Sequence, residues 1–290
     1  MTSAKSNGIT IEYESAGDQA DPTLLMIMGL GAQLVAWDDE LVDAFARRGF
    51  HVLRFDNRDV GLSTWLDDAG TPDFAGLLSG ASRPPYSIAD MANDAAGLLD
   101  ALDIAAAHVF GVSLGGMIAQ SLAIGHPDRV RTLTSIMSTT GDPSVGQPHP
   151  EAVEALLAPE PTDREGAVEA ALASWRVIGS PGFPFHADRI AASAAMAYDR
   201  AFHPDGTARQ LAAILGSPDR TPGLAKLTVP TLVIHGDSDP LVDPSGGKAT
   251  AAAVPGAALW TVPGMGHDLP PELFGELVER VAAHCAQQPG

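Results

Sequence analysis

The stretch "HVFGVSLGG", residues 108–116, decides the reading of this chain. Gly111-Val112-Ser113-Leu114-Gly115 has the pattern G-x-S-x-G, set between an apolar run rich in β-formers and the apolar segment "LGGMIAQSLAIG". A tight strand-to-helix turn lifts such a serine into the open at the C-terminal edge of a sheet, and small residues on either side keep the crowded backbone free of clashes. The turn also sets the serine at a helix N-terminus, where backbone N–H groups favour developing negative charge. A serine hydroxyl is a poor nucleophile near neutral pH, so the pattern calls for a base elsewhere in the chain.

Working outward, short apolar runs alternate with amphipathic segments. "ITIEYES" alternates and reads as an edge strand, while "TLLMIM", "HVLRFD", "AHVFGV", "VRTLTSIM" and "PTLVIHG" read as strands buried on both faces. "ALWTVPG" reads as the last strand and "PELFGELVERVAAH" as the closing helix. "SIADMANDAAGLLDALD" opens with Ser87 and Asp90 in capping-box spacing and carries Met91, Ala95, Leu98 and Leu102 along one stripe. This alternation predicts an α/β fold with a mostly parallel, doubly wound sheet. From Thr140 to Pro222 the rhythm turns helical. "TDREGAVEAALASWRVIG" reads as a helix with Thr162 and Glu165 as its capping box, an apolar face of Val168, Leu172, Trp175 and Ile178, and Gly179 as its stop. "HADRIAASAAMAYDRAF" and "GTARQLAAIL" follow as further helices. The expected organisation is a core of residues 1–139 and 223–290 with an all-helical cap inserted at 140–222.

The chain has nine histidines. His51 and His108 precede strands, His126 ends a helix and His284 lies on the last one; with His149, His186 and His203 of the insertion they read as solvated or capping. His235, in the strand before "GDSD", reads as structural. His267 differs: in "VPGMGHDLP" it follows the last strand in a Gly-rich turn, which puts its ring at the same sheet edge as Ser113. An acid must orient that imidazole. "HGDSDPLV" offers Asp239 for this role and Asp237 for tightening the turn, with Asp142 held in reserve. The order Ser113, Asp239, His267 is the chain order of the strand–turn–helix serine hydrolases.

"MIMGLGAQ" and the later Asp56 outline a dinucleotide-binding loop. That fingerprint wants a small sixth residue and an immediate helix. Leu34 occupies the sixth position, and the best helix start is near Asp38. The alternative is that Gly29 and Gly31 give freedom to a backbone N–H aimed at a reacting oxygen. In the strand–turn–helix serine hydrolases the loop after this strand and the residue after the nucleophile each supply one oxyanion donor; the matching positions here are the N–H groups of Leu30 and of Leu114, with Asp56 in the neighbouring structural loop "DNRDVGLS".

The net charge of −19 over 290 residues repels a phosphate backbone, which speaks against nucleic acid and anionic membrane surfaces as partners. No apolar run approaches the roughly 20 residues of a membrane span. Cys285 is the only cysteine, so no intrachain disulfide forms. With no signal-peptide pattern at the N-terminus, a cytoplasmic location is expected.

With these residues placed, the chain resembles the α/β-hydrolase superfamily over nearly its full length, and within it the aclacinomycin methylesterase group of actinobacterial serine esterases. The resemblance rests on "MG", "DNRDVGLST", "GVSLGG", "VPTLVIHGDSDP" and "VPGMGHDLP"; in the insertion it is confined to "SWRVIGSPGFPF". It implies Ser113 as nucleophile, His267 as base and Asp239 as acid, with Leu30 and Leu114 at the oxyanion positions, although the group carries glycine where Leu30 stands. The implied reaction is hydrolysis of a small-molecule carboxylic ester, with no metal or organic cofactor. Trp37, Trp175, Phe183, Phe185, Met196 and Tyr198 are the candidate substrate-lining residues. A thioesterase or lysophospholipase with the same residues, a perhydrolase, and a hydrolase-derived binding protein without turnover stay open. A dehalogenase or epoxide hydrolase needs Asp at the position of Ser113.

Overall fold

The computed structural model describes residues 2–288. Eight strands form one sheet: β1 (Thr2–Ser6), β2 (Ile9–Ala16), β3 (Thr23–Ile27), β4 (His51–Phe55), β5 (Ala107–Val112), β6 (Val130–Ile136), β7 (Thr231–Gly236) and β8 (Ala258–Val262). Across the sheet they run β1-β2-β4-β3-β5-β6-β7-β8. The pairs β1·β2 and β2·β4 are antiparallel, and every other pair is parallel. "ITIEYES" is therefore the second strand, not the edge. The edge is β1, whose short polar sequence "TSAKS" carries no apolar alternation and buries only Ser6.

The helices are α1 (Asp39–Arg47), α2 (Phe74–Ser79), α3 (Ile88–Ala101), α4 (Leu114–Gly125), α5 (Pro150–Leu156), α6 (Arg164–Ile178), α7 (Ala187–Arg200), α8 (Pro204–Leu215), α9 (Thr221–Leu224), α10 (Ser245–Ala253) and α11 (Phe274–Cys285). Successive side chains of a strand point to opposite faces. Leu25 and Ile27 of β3 accordingly join Leu53 and Phe55 of β4 in a core with α3 and α4. Leu24, Met26 and Val52 join α1 and α11 on the other side, where Phe45 and Trp37 each pack 5.6 Å from Phe110. Both faces of the central strands are covered, which is why their sequences are continuous apolar runs.

Local chemistry sets the helix starts. The capping box of α3 forms, with Asp90 N donating to Ser87 Oγ at 3.2 Å and Ser87 N to Asp90 Oδ2 at 2.8 Å. Asp38 caps α1, accepting from Glu40 N at 2.9 Å. At α6 the cap is Asp163, which accepts from Gly166 N at 2.8 Å, rather than Thr162 with Glu165. The helix starts one residue later than the Thr-x-x-Glu spacing suggests, which leaves Gly166 and not Glu165 at its third position.

Helices α5–α9 lie between β6 and β7 with no strand among them. No residue of α6 is fully buried and only Ala195 of α7 is, so these two helices have no dry core of their own. The most buried face of the segment is on α8, where Gly206, Arg209, Gln210 and Ala213 share one stripe. Among the described residues, no helix is long and apolar enough to cross a membrane.

Candidate active site

Ser113 stands between β5 and α4 with φ +55° and ψ −121°, a region that L-residues rarely enter, at a cost of roughly 1–3 kcal/mol. The neighbouring glycines make the turn sterically feasible. A Cβ on Gly111 would lie 2.2 Å from Gly115 O, and one on Gly115 would lie 2.0 Å from Ile27 O. The turn is held from β6 and beyond: Ser113 N donates to Ile136 O at 2.9 Å, and Ser138 Oγ donates to Ser113 O at 2.9 Å.

The three residues picked out in the sequence meet at this edge. His267 Nε2 lies 2.9 Å from Ser113 Oγ, and His267 Nδ1 lies 2.8 Å from Asp239 Oδ2. The other Asp239 oxygen accepts from Leu241 N and Val242 N, each at 2.9 Å. Burial alone would push the Asp239 carboxyl up. The charge of His267, hydrogen bonds from His235 and His267 and the Val242 N–H together hold it well below the usual carboxylate range. His235 is buried beside this carboxylate, with Nε2 2.8 Å from Val242 O and 3.4 Å from Asp239 Oδ2, the oxygen that also faces His267. Asp237 tightens its turn by accepting from Gly264 N at 2.7 Å. Asp142, the reserve acid, closes a local turn by accepting from Ser144 N and Ser144 Oγ, both at 2.8 Å.

The remaining histidines fall into two groups. His126, His149 and His186 lie on the surface or at helix ends. His51, His108 and His284 are buried rather than solvated. His108 bonds Thr132 Oγ1 across β5 and β6 at 2.9 Å, and burial pushes its imidazole down to about 4. His203 is also drawn in, stacked on Trp65 with ring centroids 4.0 Å apart. Partners supplied by distant segments, which neighbours in sequence do not reveal, draw these rings inward: Thr132 for His108, and Trp65 and Asp67 for His203.

The loop after β3 lies against the elbow. A Cβ on Gly29 would sit 3.2 Å from Ser113 Cβ. Ala32 N donates to Gly29 O at 3.3 Å, and Gly31 has φ +66°, the pattern of a type II turn with Leu30 and Gly31 at its centre. Leu114 is the first residue of α4, so its N–H is one of the groups for which a helix supplies no internal acceptor. Asp56, at the end of β4, accepts from Leu34 N at 2.7 Å and from Leu62 N at 2.9 Å, which ties two loops together.

Above Ser113 and His267 opens a cavity of about 1480 Å³ between the sheet edge and the helical segment. Leu30, Trp37, Trp175, Phe185 and Met196 line it. Two candidates do not. Phe183 packs against the sheet core beside α1 and α11. Tyr198 faces a separate cavity of about 160 Å³ and tilts against Phe202. The large cavity is mostly apolar, with Met28, Met117, Met137, Ile190 and Leu211 in its wall. Among the described residues, no group of three or more His, Cys, Asp or Glu side chains is placed to hold a metal ion.

Sequence reasoning missed the polar contacts by which the helical segment reaches the site. His267 N donates to Ile178 O at 2.7 Å, at the end of α6. Ser180 Oγ accepts from Gly266 N at 2.8 Å and donates to Asp268 Oδ1. From α7 and its C-cap residue, Ala197 O and Ala201 O accept from Gln33 Nε2 at 2.7 and 2.6 Å, and Arg200 Nη1 reaches Asp56 Oδ2 at 2.7 Å. From α8, Gln210 reaches the Gly31 N–H. The one signal in the sequence is that Arg209 and Gln210 lie three to four residues before Ala213, on one face of "GTARQLAAIL", and that face is the buried one.

The strand order, the strained serine turn and the three side chains converging beside it define an α/β hydrolase. The family model for the alpha/beta hydrolase fold matches residues 22–272, and the chain belongs to that family. Rhodomycin D methylesterase DauP of Streptomyces sp. (strain C5) is 32% identical over a 300-position alignment that covers 95% of each chain. Rhodomycin D methylesterase DnrP of Streptomyces peucetius is 31% identical, again over 95% of each. Among solved structures, the enol-lactonase from Burkholderia xenovorans LB400 matches with a TM-score of 0.73 at 24% identity, covering 98% of this chain and 100% of that one. A thermophilic esterase from Thermogutta terrifontis matches with a TM-score of 0.73 at 22% identity, over 100% and 99% of the two chains. The protein is a carboxylic ester hydrolase.

Proposed function

We propose that the protein cleaves carboxylic esters through an acyl-enzyme on Ser113, with His267 as general base and Asp239 as the acid that orients it. The observation that carries this reading is the unbroken relay from Ser113 Oγ through His267 to Asp239, at 2.9 and 2.8 Å. Ser113 attacks the acyl carbon while His267 Nε2 takes its proton. The resulting oxyanion is held by the N–H groups of Leu30 and Leu114, each such donor being worth about 3–4 kcal/mol in the transition state. His267 returns the proton to the leaving alcohol. Water activated by the same ring then releases the acid. Asp239 stays ionised throughout, holding the ring and balancing the imidazolium charge.

In this reading residues 140–222 form a helical cap over a core of 1–139 and 223–290, and the substrate lies between them. The substrate class is a methyl ester carried on a bulky acid. Two things support it: the two methylesterase relatives, which align over 95% of the chain, and a cavity of about 1480 Å³, above the roughly 300–1,000 Å³ of drug-sized sites.

The test is active-site labelling beside a substrate panel. A fluorophosphonate should label the wild type and leave Ser113→Ala unlabelled. Methyl esters of polycyclic acids should be turned over with higher kcat/KM than p-nitrophenyl acetate, acyl thioesters or lysophospholipid. Labelling of Ser113→Ala at the wild-type rate would overturn the mechanism. Preference for a thioester or lysophospholipid would move the substrate class and leave the mechanism standing.

A further inference from the structure

We propose that Gln210, which comes from the helical segment and not from the core, is a positioning residue for the oxyanion-binding loop. The inference rests on the assignment of Leu30 N–H as an oxyanion donor. Gln210 is wholly buried on α8. Its Oε1 accepts from Gly31 N at 2.9 Å, and its Nε2 donates to Arg58 O at 2.7 Å. Both ends of the amide are therefore committed to backbone groups in two different loops.

Each anchor is itself rigid. Next to Gln210, Arg209 forms a bidentate pair with Asp59 at 2.9 Å for both bonds, and neither side chain is more than 1% exposed. Arg58 is fixed by Asp94 of α3 through bonds of 2.6 and 2.7 Å. One helical turn before Gln210, Thr207 abuts Gly31 so closely that a Cβ there would lie 2.8 Å from its Oγ1. The helix thus presses on the loop at Thr207 and holds it at Gln210.

What is held matters for the chemistry. The Gly31 N–H belongs to the central peptide of the Gly29–Ala32 turn, the unit whose rotation interconverts type I and type II turns. Gln210 supplies an acceptor to one orientation of that peptide only. The orientation fixes Leu30 between Gly29, which lies against Ser113, and Gly31, which lies against α8. The Leu30 N–H lies on the preceding peptide, joined to this one at the Leu30 Cα, so Gln210 acts on the donor through the backbone of Leu30 and not by direct contact. An oxyanion donor is effective when it needs no reorganisation at the moment of reaction, so loosening the turn should weaken transition-state binding more than substrate binding.

The test is Gln210→Met, which keeps the length of the side chain and removes both hydrogen bonds, with Gln210→Glu as the variant that keeps an acceptor oxygen for Gly31 N–H. Steady-state ester hydrolysis, fluorophosphonate labelling rate and inhibition by an arylboronic acid are measured on each folded enzyme. The expected result is a fall in kcat of about 10- to 100-fold in Gln210→Met, with KM within threefold. Labelling should slow and boronate affinity should weaken in parallel, and Gln210→Glu should recover part of the loss. A Gln210→Met enzyme with kcat within twofold of wild type, or with the change confined to KM, overturns the proposal. If Gln210→Met does not fold, Gln210→Asn, which withdraws the amide by one methylene, is read by the same criteria. Failure of the mechanism itself is distinguishable, since it shows as wild-type protein that the fluorophosphonate does not label at Ser113.

Discussion

The guanidinium of Arg200, at the C-terminal end of α7, lies 2.7 Å from the carboxylate of Asp56, which is wholly buried at the end of β4. Burial pushes this carboxyl above its usual range, against the pull of the Leu34 and Leu62 N–H groups and of Arg200. Removing one partner of a buried ion pair leaves an uncompensated charge. Arg200→Met should therefore destabilise the protein by about 3 kcal/mol in urea unfolding. Arg164→Met breaks a solvent-exposed pair with Asp199 and should change stability by less than about 1 kcal/mol. Equal effects of the two substitutions would refute this account.

Asp239 and Asp237 share one turn, and only the first reaches His267. Asp239→Asn should keep the fold and lower kcat by on the order of 10⁴-fold, because the amide favours the wrong imidazole tautomer. Asp237→Asn should stay within several-fold of wild type. The measurement is kcat on a p-nitrophenyl ester. A reversed order of effects would reassign the acid.

Two glycines of α4 make opposite predictions. A Cβ on Gly115 would run into Ile27 O, so Gly115→Ala should abolish folding or lower Tm by many degrees. Gly125 closes the same helix and nothing stands within 4 Å of its added Cβ. Gly125→Ala should raise stability by about 0.5–1 kcal/mol, since alanine loses less backbone entropy on folding. Thermal melts of the two variants side by side are the check.

Three buried imidazoles give the fold an acid sensitivity separate from catalysis. Burial lowers the pKa of His51, of His108 (to about 4) and of His284. The unfolded chain then takes up protons near pH 6.5 that the folded chain refuses. Their contribution to stability is complete above about pH 6.5 and falls as pH drops below it, for His108 down to about 4. Tm should decrease across that window, and His108→Gln should flatten the decrease while sparing activity at pH 8. A steeper slope in the variant would contradict this origin.

How much of this was readable in the sequence follows from the physics of each part. The central strands were readable because a strand covered on both faces must be apolar throughout. The serine turn was readable because only glycine fits at positions 111 and 115. Strand β1 was not, because its short polar sequence carries no apolar alternation and only Ser6 is buried. The cavity wall was read in part. Met196 and Tyr198 are two residues apart on α7, which places them about 200° apart around the helix. They cannot both face one cavity, and periodicity alone does not say which one does. Phe183 and Phe185 lie outside any helix, so no period applies to them. Gln210 and Arg200 went unread because their partners are backbone and carboxylate groups more than 140 positions away in the chain.

The docking of the Ile178–Ser180 segment on the His267 turn bears on how enzymes of this shape change specificity. Replacing the helical segment between β6 and β7 would remove the carbonyl that receives the His267 amide and the hydroxyl that braces Gly266. A chimera that exchanges the whole insertion should therefore lose turnover as well as selectivity. One that leaves residues 178–180 in place, and retains Gln210, should change selectivity and keep turnover.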